Sequence, residues 1–335
     1  MVKYIIKRLA ISIVILLGVS IIIYTMVRLM PTDYVDTKYA SQLQNGTIKP
    51  EDIAHFKSLY GIGDNSFKGI IGGYLKWIGN LAQGDLGLSF KYEKPVGQVI
   101  SENMWVSFAI AVIATILQFS LSVPLGISSA TNQYSLKDYA VTFFTMIGIS
   151  LPTYFFAAIV VKVFSVDLGL FPPSGLISAT ANYPEGFYGE LQKLIDIAHH
   201  LFLPILVSVL LSIGGLMRYT RTNMLEVLTA DYIRTARAKG LSEKSVVYKH
   251  AFRNTMIPLV TMLAGILPSL FGGMMITEQV FGIDGIGRLA YQALREGDIP
   301  FVMGYNMFLA ILTVIGTLLS DIMYSVVDPR VKLGK

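Results

Sequence analysis

The composition of the chain is that of a membrane protein. Of its 335 residues, 53% are hydrophobic and only 15% are charged, whereas soluble domains carry about 25% charged residues. The net charge of +5 is too small to indicate a nucleic-acid partner. The sequence contains no cysteine, which excludes disulfides, thiolate zinc sites and iron–sulfur clusters. These counts exclude an ordinary soluble fold and cysteine redox chemistry.

Six uncharged segments predict transmembrane helices, because a hydrocarbon core about 30 Å thick needs roughly 20 apolar residues of helix. The first segment has a basic start like a signal peptide, but its apolar run is too long and no cleavage site follows before Pro31. We interpret it as an uncleaved anchor within an all-α, polytopic membrane protein. The six segments are residues 9–27, the middle of 103–136, 139–161, 201–217, 254–277 and 301–320.

The distribution of charge predicts the orientation in the membrane. With both termini in the cytoplasm, the inner segments hold 15 Lys and Arg against 6 Asp and Glu, and the outer segments hold 12 against 16. This asymmetry follows the positive-inside rule. Attraction to anionic lipid then explains most of the basic excess, without a nucleic-acid partner.

The predicted organisation has unequal loops. Residues 31–103 are long enough for an external subdomain, in which Tyr74, Trp77 and Ile78 belong to an external or interfacial helix. The glycine-rich stretch 281–288 lacks both G-x-G-x-x-G and P-loop spacing, so we interpret it as a turn before the next helix. The predicted parts are an anchor (1–30), the external subdomain (31–103), a transmembrane core (104–320) with an inner loop (218–256), and a cytoplasmic tail (321–335).

The inner loop is the most informative segment. Residues 231–240 are rich in helix formers and end in Gly240, which predicts a short helix closed by a left-handed turn. Ser242 is placed to cap a second helix that runs through Val246, Val247 and Tyr248 towards the fifth span. The loop is therefore predicted to form two helices joined by a turn.

The spans themselves are marked by helix breakers rather than by charge. They contain no Asp, Glu, Lys or His at the expected mid-membrane depth, which argues against a proton-coupled carrier. Proline and paired glycines are expected to supply kinks and close helix approaches. These residues are Pro124, Pro152, Pro204, Pro268, Gly214-Gly215 and Gly272-Gly273.

Separated stretches of the chain share their order and spacing with one protein family. They are residues 234–242, His250 and residues 253–258, together with Pro31 and Asp33, residues 84–89 with Pro95-Val96, residues 278–289, and Asp328-Pro329-Arg330. The loop resembles the EAA-type loop of binding-protein-dependent ABC importer permeases. The whole set is similar to the first, B-type permease of oligopeptide, dipeptide and nickel importers. The resemblance covers nearly the entire chain.

Four positions depart from the family pattern. Arg234 and Thr235 replace the glutamate and the first alanine of the EAA motif. These replacements resemble the form of the motif found in the peptide branch of the family. Thr32 stands in place of glycine after Pro31, and Asp284 stands where proline precedes Gly285. The last substitution affects the expected geometry of an outer gate.

The resemblance implies a type I ABC importer permease fold in a bacterial plasma membrane. It implies a transport subunit that is not an enzyme and binds no cofactor directly, with ATP and Mg²⁺ bound by partner ATPases; the chain itself has no G-x-x-x-x-G-K-[ST] motif. The implied partners are a second permease, two ATP-binding subunits and an extracellular substrate-binding lipoprotein. Peptides are the expected cargo, while nickel chelates and related cargo stay open.

The same resemblance implies two sets of site residues. In the loop, Ile233 and Ala236 are expected to form an apolar contact with a groove on an ATPase, and Gly240 is expected to form the turn. Polar contacts with the ATPase are expected from Arg234, Arg237 and Lys239. The full coupling set is Tyr232, Ile233, Arg234, Ala236, Arg237, Lys239, Gly240 and Leu241. The expected set for binding-protein docking or an outer gate is Gly84, Asp85, Phe281, Gly282, Asp284 and Gly285.

Two other classes of membrane protein stay open. An ion channel or signalling protein requires a charged filter ring or a cytoplasmic catalytic domain, and neither is visible in the sequence. A membrane enzyme requires an acid, base or metal constellation. The adjacent His199 and His200 are the best metal-like feature, but neighbouring residues on a helix point about 100° apart and do not chelate as i, i+4 pairs do.

Overall fold

The computed structural model describes residues 2–28, 34–46, 49–51, 53 and 66–327. Within these ranges the chain forms helices and turns, and one antiparallel bridge joins Leu88 to Pro95. The predicted all-α class is confirmed. The helices are α1 (Val2–Arg28), α2 (Tyr34–Gln44), α3 (Phe67–Ala82), α4 (Val96–Thr131), α5 (Leu136–Ser150), α6 (Thr153–Val160), α7 (Phe187–Leu228), α8 (Asp231–Ala238), α9 (Glu243–Ser245), α10 (Phe252–Gly265), α11 (Leu267–Phe271), α12 (Met275–Val280), α13 (Ile286–Glu296) and α14 (Ile299–Val327). The π-helical segments Val161–Asp167 and Val246–Ala251 continue α6 and α9.

Four described helices are long and apolar enough to cross a membrane: α1, α4, α7 and α14. They correspond to the first, second, fourth and sixth predicted spans. A fifth crossing is formed if α5 and α6, with its π-helical continuation, count as one span. The predicted number of six transmembrane helices therefore stays a prediction.

The third and fifth predicted spans are both interrupted. Between α5 and α6 the chain bends by 103°, because Pro152 has no backbone N–H to continue the helix. The expected continuous helix 254–277 is wrong: it is divided into α10, α11 and α12. Gly273 adopts φ +73° in the second break, and a Cβ there would lie 2.4 Å from the backbone nitrogen of Gly287. The predicted breakers Pro152 and Gly272-Gly273 are therefore confirmed as interruptions.

The boundaries of the long helices correct two loop predictions. Helix α7 extends far beyond the predicted span 201–217, so it includes the end of the outer loop and the start of the inner loop. Pro204 lies inside this helix, as Pro124 lies inside α4, without ending it. Helix α4 begins at Val96, so a domain boundary at residue 103 would divide a continuous helix.

The directions of the helices define two ends of the bundle. Val96 at the start of α4 and Phe301 near the start of α14 share one apolar cluster, so both helices start at the same end. At the opposite end, Arg8 Nε of α1 lies 2.8 Å from Asp321 Oδ2 of α14, and the last turns of α4 pack against α8. We call the end that holds α8 and the Arg8–Asp321 pair the loop end, and the end where α4 and α14 start the distal end.

Small residues bring the central helices together. A Cβ on Gly126 of α4 would lie 2.7 Å from the Thr220 Cβ of α7, and one on Gly214 of α7 would lie 2.5 Å from the Thr145 carbonyl oxygen of α5. Neither position has room for a larger side chain. Helices α4, α5 and α7 therefore form a closely packed frame, as small residues allow in membrane proteins.

The predicted helix around Tyr74 and Trp77 is confirmed as α3, which packs on α1. The hydroxyls of Ser20 and Tyr74 are 2.9 Å apart, and the rings of Tyr24 and Trp77 have centroids 6.0 Å apart. A Cβ on Gly73 would lie 2.3 Å from the Tyr24 hydroxyl. Gly73 therefore serves a contact within this chain.

Candidate functional site

Helix α8 (Asp231–Ala238) at the loop end is the short helix predicted within residues 231–240, and it has the predicted glycine termination. It follows α7 after a two-residue break and ends before Gly240, whose φ of +75° lies in the left-handed region that favours glycine. The Gly240 amide donates to the Arg237 carbonyl at 2.9 Å, and the Leu241 amide donates to the Ala236 carbonyl at 3.4 Å. These bonds satisfy carbonyls that the end of the helix would leave unpaired.

One face of α8 is buried within the chain. Ile233 is 0% exposed and Ala236 is 6% exposed. Both belong to an apolar cluster with the end of α4, with α7 and with the segment after α9, whose buried members include Ile127, Met224 and Val246. This placement corrects the expected direct contact of Ile233 and Ala236 with an ATPase. Instead, these side chains attach α8 to the bundle.

The opposite face of α8 and the following turn are exposed. Tyr232 and Leu241 are 47% and 41% exposed, and Arg234 and Lys239 are also exposed. Arg237 is paired: its Nη2 lies 2.7 Å from Glu243 Oε1, and this hydrogen bond lowers the pKa of Glu243. The exposed face therefore presents a tyrosine, a leucine and basic groups around the turn. The Arg237–Glu243 pair connects α8 to α9 across this turn.

The second predicted loop helix is present in a modified form. Ser242 lies at the N-cap position of α9, but its side chain makes no capping hydrogen bond. The chain continues as the π-helical segment into α10, with Val246 and Val247 buried and Tyr248 exposed. Both loop helices thus rest on the same apolar cluster.

A polar cluster that the sequence did not reveal braces the loop end. Arg221 of α7 donates from Nε to Asp138 Oδ1 at 3.0 Å and from Nη2 to Oδ2 at 2.9 Å. Ser129 of α4 also donates to Asp138, as does the Tyr134 amide at 3.0 Å. The 3% exposed Asp138 at the start of α5 therefore ties α4 and α7 together beside α8. Its sequence signal was an acid three residues after the Ser135 cap, but its partner Arg221 is 83 positions away in the chain.

The predicted outer residues divide into exposed and buried groups at the distal end. Gly84, Asp85 and Asp284 are exposed, and Asp284 pairs with Arg288 at 2.9 Å. Phe281 is 2% exposed and packs in the core. Its side chain is therefore not available as a docking contact, which corrects that expectation.

The two predicted glycines of the outer turn also have internal neighbours. A Cβ on Gly285 would lie 2.5 Å from Glu278, and one on Gly282 would lie 3.2 Å from the Ser174 Cβ. Gly285 is buried, and Gly282 is partly buried. The turn is confirmed as the connection into α13, but among its predicted docking residues only Asp284 is exposed.

Glu278 is the first of two buried carboxylates that hold the distal end, and it is 1% exposed. Its Oε1 accepts from the Ser107 hydroxyl of α4 at 2.6 Å and from the Met274 amide at 3.0 Å. Its Oε2 accepts from the Arg288 amide at 2.9 Å, in the first turn of α13. Glu278 therefore fixes the start of α13 against α4.

Asp298 is the second carboxylate and is 0% exposed. It accepts from the Ser89 hydroxyl at 2.5 Å, from the Lys91 amide at 3.0 Å, and from the Phe90 and Phe301 amides at 3.2 Å each. The loop that follows Gly84 and Asp85 is thus bonded to the start of α14. The sequence did not identify Asp298, because three of its four hydrogen-bond donors lie 207 to 209 positions earlier in the chain.

Two of the family-like motifs lie outside the described residues. These are Pro31 to Asp33, after the first span, and Asp328-Pro329-Arg330, near the end. Their similarity to family patterns therefore stays an observation on the sequence alone.

Comparisons with known proteins identify the family. Residues 122–333 match the family model for the binding-protein-dependent transport system inner membrane component. The chain is 37% identical over 333 residues to the oligopeptide transport system permease protein AppB of Bacillus subtilis (strain 168), covering 99% of this chain and 100% of that protein. It is 31% identical over 347 residues to the dipeptide transport system permease protein DppB of Escherichia coli (strain K12), with both chains fully covered.

A solved structure shares the fold. It is an inward-facing MetNI methionine ABC transporter, with a TM-score of 0.51 at 18% identity, covering 69% of this chain and 97% of that chain. The match supports the helical architecture of a type I importer permease. On the family match and the full-length relatives, the chain belongs to the binding-protein-dependent transport system inner membrane components.

Proposed function

We propose that the chain is one transmembrane subunit of an ATP-driven, binding-protein-dependent importer of peptides. The observation that carries this proposal is α8, a short helix attached by an apolar face and exposed on the other. Relatives covered over their full length are named oligopeptide and dipeptide permeases. Oligopeptides or dipeptides are therefore the proposed cargo.

The proposed coupling contact is the exposed face of α8. An ATP-binding subunit would contact Tyr232, Arg234, Lys239 and Leu241, with Gly240 shaping the turn. Because Ile233 and Ala236 pack against α4 and α7, a displacement of α8 would move these long helices with it. Arg237 would act indirectly, by holding α9 through Glu243. The permease would alternate between inward and outward openings as two such ATPases close on ATP and Mg²⁺ and reopen.

The proposed location is the bacterial plasma membrane, with both termini in the cytoplasm. The Arg8–Asp321 ion pair supports this arrangement, because it joins the first and last long helices at the end that carries α8. The loop end would then face the cytoplasmic ATPases. The positive-inside distribution of the sequence agrees with this orientation.

The proposed assembly contains a homologous second permease, two ATP-binding subunits and an extracellular binding lipoprotein. The exposed Gly84, Asp85 and Asp284 are the proposed docking positions for the binding protein, whereas Phe281 and Gly285 shape the turn from inside. The buried carboxylates Glu278 and Asp298 would hold these positions in register.

Reconstitution tests the proposed function. The chain, its sister permease, the ATPases and the binding protein are placed in proteoliposomes, and uptake of a radiolabelled tetra-alanine peptide is measured. We expect uptake that requires ATP and the binding protein, and its loss when this chain is omitted. Equal uptake without ATP would contradict the proposal and favour a channel. Uptake of a nickel chelate but of no peptide would contradict the proposed cargo.

A further inference from the structure

A half-open groove lies at the middle of α7, where two interrupted segments meet it. Ser208 is near the midpoint of α7. Thr153 is the first residue of α6 after the 103° bend, and Met275 is the first residue of α12 after the break at Gly272 to Met274. The groove has a volume of about 520 Å³ and is lined by Thr153, Ser208, Leu211, Ser212, Met274, Met275, Ile276 and Thr277.

The back of the groove is firmly built. The Gly272 carbonyl accepts a hydrogen bond from the Tyr305 hydroxyl at 2.5 Å, and the Met274 amide donates to Glu278 at 3.0 Å. Ala157 of α6 and Val207 of α7 lie in one buried apolar cluster. Irregular backbone at membrane depth is tolerated where it is satisfied by protein or lines a polar cavity. Here the Gly272 carbonyl and the Met274 amide are both satisfied by protein groups.

The front of the groove combines hydroxyl groups with adaptable apolar groups. The Ser208 hydroxyl donates to the Pro204 carbonyl at 2.8 Å, and the Ser212 hydroxyl donates to the Ser208 carbonyl at 2.7 Å. Each hydroxyl proton is therefore used, while the oxygen retains a lone pair for an incoming N–H group. Methionine side chains such as Met274 and Met275 adapt to differently shaped ligands.

The groove is also electrically neutral, since its lining includes no Asp, Glu, Lys or Arg. Peptides of varied sequence share backbone N–H groups but differ in side-chain charge and size. A neutral wall with acceptor oxygens and flexible methionines suits this chemistry. Discontinuous helices near the membrane midplane form substrate sites in other transporters.

We infer that this groove is the half of a peptide-binding site contributed by this chain. Ser208 and Ser212 accept hydrogen bonds from backbone amides of the cargo, and Met274, Met275 and Ile276 contact its side chains. This inference rests on the proposed function and adds to it the residues that touch the peptide. The open side of the groove is closed by another part of the importer.

Site-specific photocrosslinking in the reconstituted importer tests the inference. Benzoylphenylalanine replaces Ile276, which is 48% exposed, and separately replaces Leu210, a control on α7 that is 41% exposed and lines a different cavity. The probe is radiolabelled tetra-alanine peptide. We expect at least about tenfold more labelling at position 276 than at position 210, and suppression by excess unlabelled peptide.

Hydroxyl removal provides the second measurement. The double variant Ser208→Ala with Ser212→Ala is expected to raise the KM for uptake about threefold to tenfold with little change in maximal rate, as loss of two modest hydrogen bonds predicts. If wild-type uptake persists, three results would each overturn the inference. They are labelling at position 276 that is no greater than at position 210, crosslinking from position 276 to a sister subunit that excess peptide does not suppress, and an unchanged KM. Absence of wild-type peptide uptake would instead overturn the proposed function, and the inference with it.

Discussion

Helix α8 at the loop end and the turns at the distal end are stabilised by different kinds of contact. At the loop end, α8 is attached by the apolar side chains Ile233 and Ala236. At the distal end, the turns are held by Glu278 and Asp298, which accept three and four hydrogen bonds from separate segments. Apolar packing is non-directional, whereas a buried hydrogen-bond network fixes one geometry. The difference suits a movable α8 on one side and rigid turns on the other, while the Asp138 network holds α4 and α7 beside α8.

Loss of a buried carboxylate should have the largest effect. Asp298→Ala leaves the Ser89 hydroxyl and three amides without their acceptor, so we expect destabilisation of about 3 kcal/mol or more. Thermal unfolding of the purified chain in detergent measures this change. Asp284→Ala is the matched control, because Asp284 is exposed and pairs with Arg288 alone among the described contacts. Equal stability of the two variants would contradict the rigid turns of the distal end.

Truncation of the apolar attachment should come next. Ile233→Ala removes a fully buried side chain, and comparable core truncations cost about 2–5 kcal/mol. Because this substitution loosens α8 from α4 and α7, we expect transport-linked ATPase activity to fall while the distal end keeps its stability. Leu294→Ala is the control for size and hydrophobicity, because Leu294 of α13 is 46% exposed and lies outside the proposed ATPase contact. Full coupling in the Ile233 variant, measured as peptides imported per ATP hydrolysed, would show that this attachment does not transmit motion.

Changes at Gly240 should have a smaller effect. Gly240→Val places a β-branched residue at φ +75°, at a cost of about 1–2 kcal/mol. A Cβ meets no atom within 4 Å, so the cost comes from the backbone alone, and membrane insertion should persist while coupled ATPase activity falls. Gly215→Ala, at a glycine with open space and ordinary φ, serves as the comparison. Unchanged coupled ATPase turnover in Gly240→Val would show that the turn at Gly240 has no role in coupling.

The exposed Arg237–Glu243 pair should have the smallest effect. Its hydrogen bond lowers the pKa of Glu243 below the ordinary 4.5, so the pair contributes stability above pH 4.5 that is lost as the pH falls through the lower folded value. Exposed pairs contribute about 0–1 kcal/mol. Glu243→Gln should therefore remove a slight acid sensitivity from thermal unfolding curves and change little at neutral pH. A large loss at neutral pH would mean that the pair is a principal support of α8.

Local patterns in the sequence predicted the loop end better than the distal end. The helix from Asp231, its glycine stop and the following helix all depend on neighbouring residues. The family resemblance implied that Ile233 and Ala236 form one apolar contact, but only the tertiary structure revealed that this contact is internal. A short, polar helix gives no local signal for which partner covers its apolar side.

Long-range contacts account for what the sequence did not predict. Glu278 bonds to Ser107, and Asp298 to Ser89, across about 170 and 210 positions of the chain. No periodicity or motif encodes such pairs. The breakers Pro152 and Gly272-Gly273 were recognised as kinks, yet their convergence on a groove beside Ser208 depends on how α6, α7 and α12 pack.

The most direct test of the central claim uses the absence of cysteine from the chain. In the assembled importer, Leu241→Cys at the loop end and Asp85→Cys at the distal end each provide one reactive thiol on this chain. A thiol-to-amine crosslinker of short span is applied with and without ATP. We expect Leu241→Cys to crosslink to an ATP-binding subunit in a way that ATP alters, and Asp85→Cys not to crosslink to that subunit. Crosslinking to the ATPase from position 85 but not from 241 would contradict this expectation.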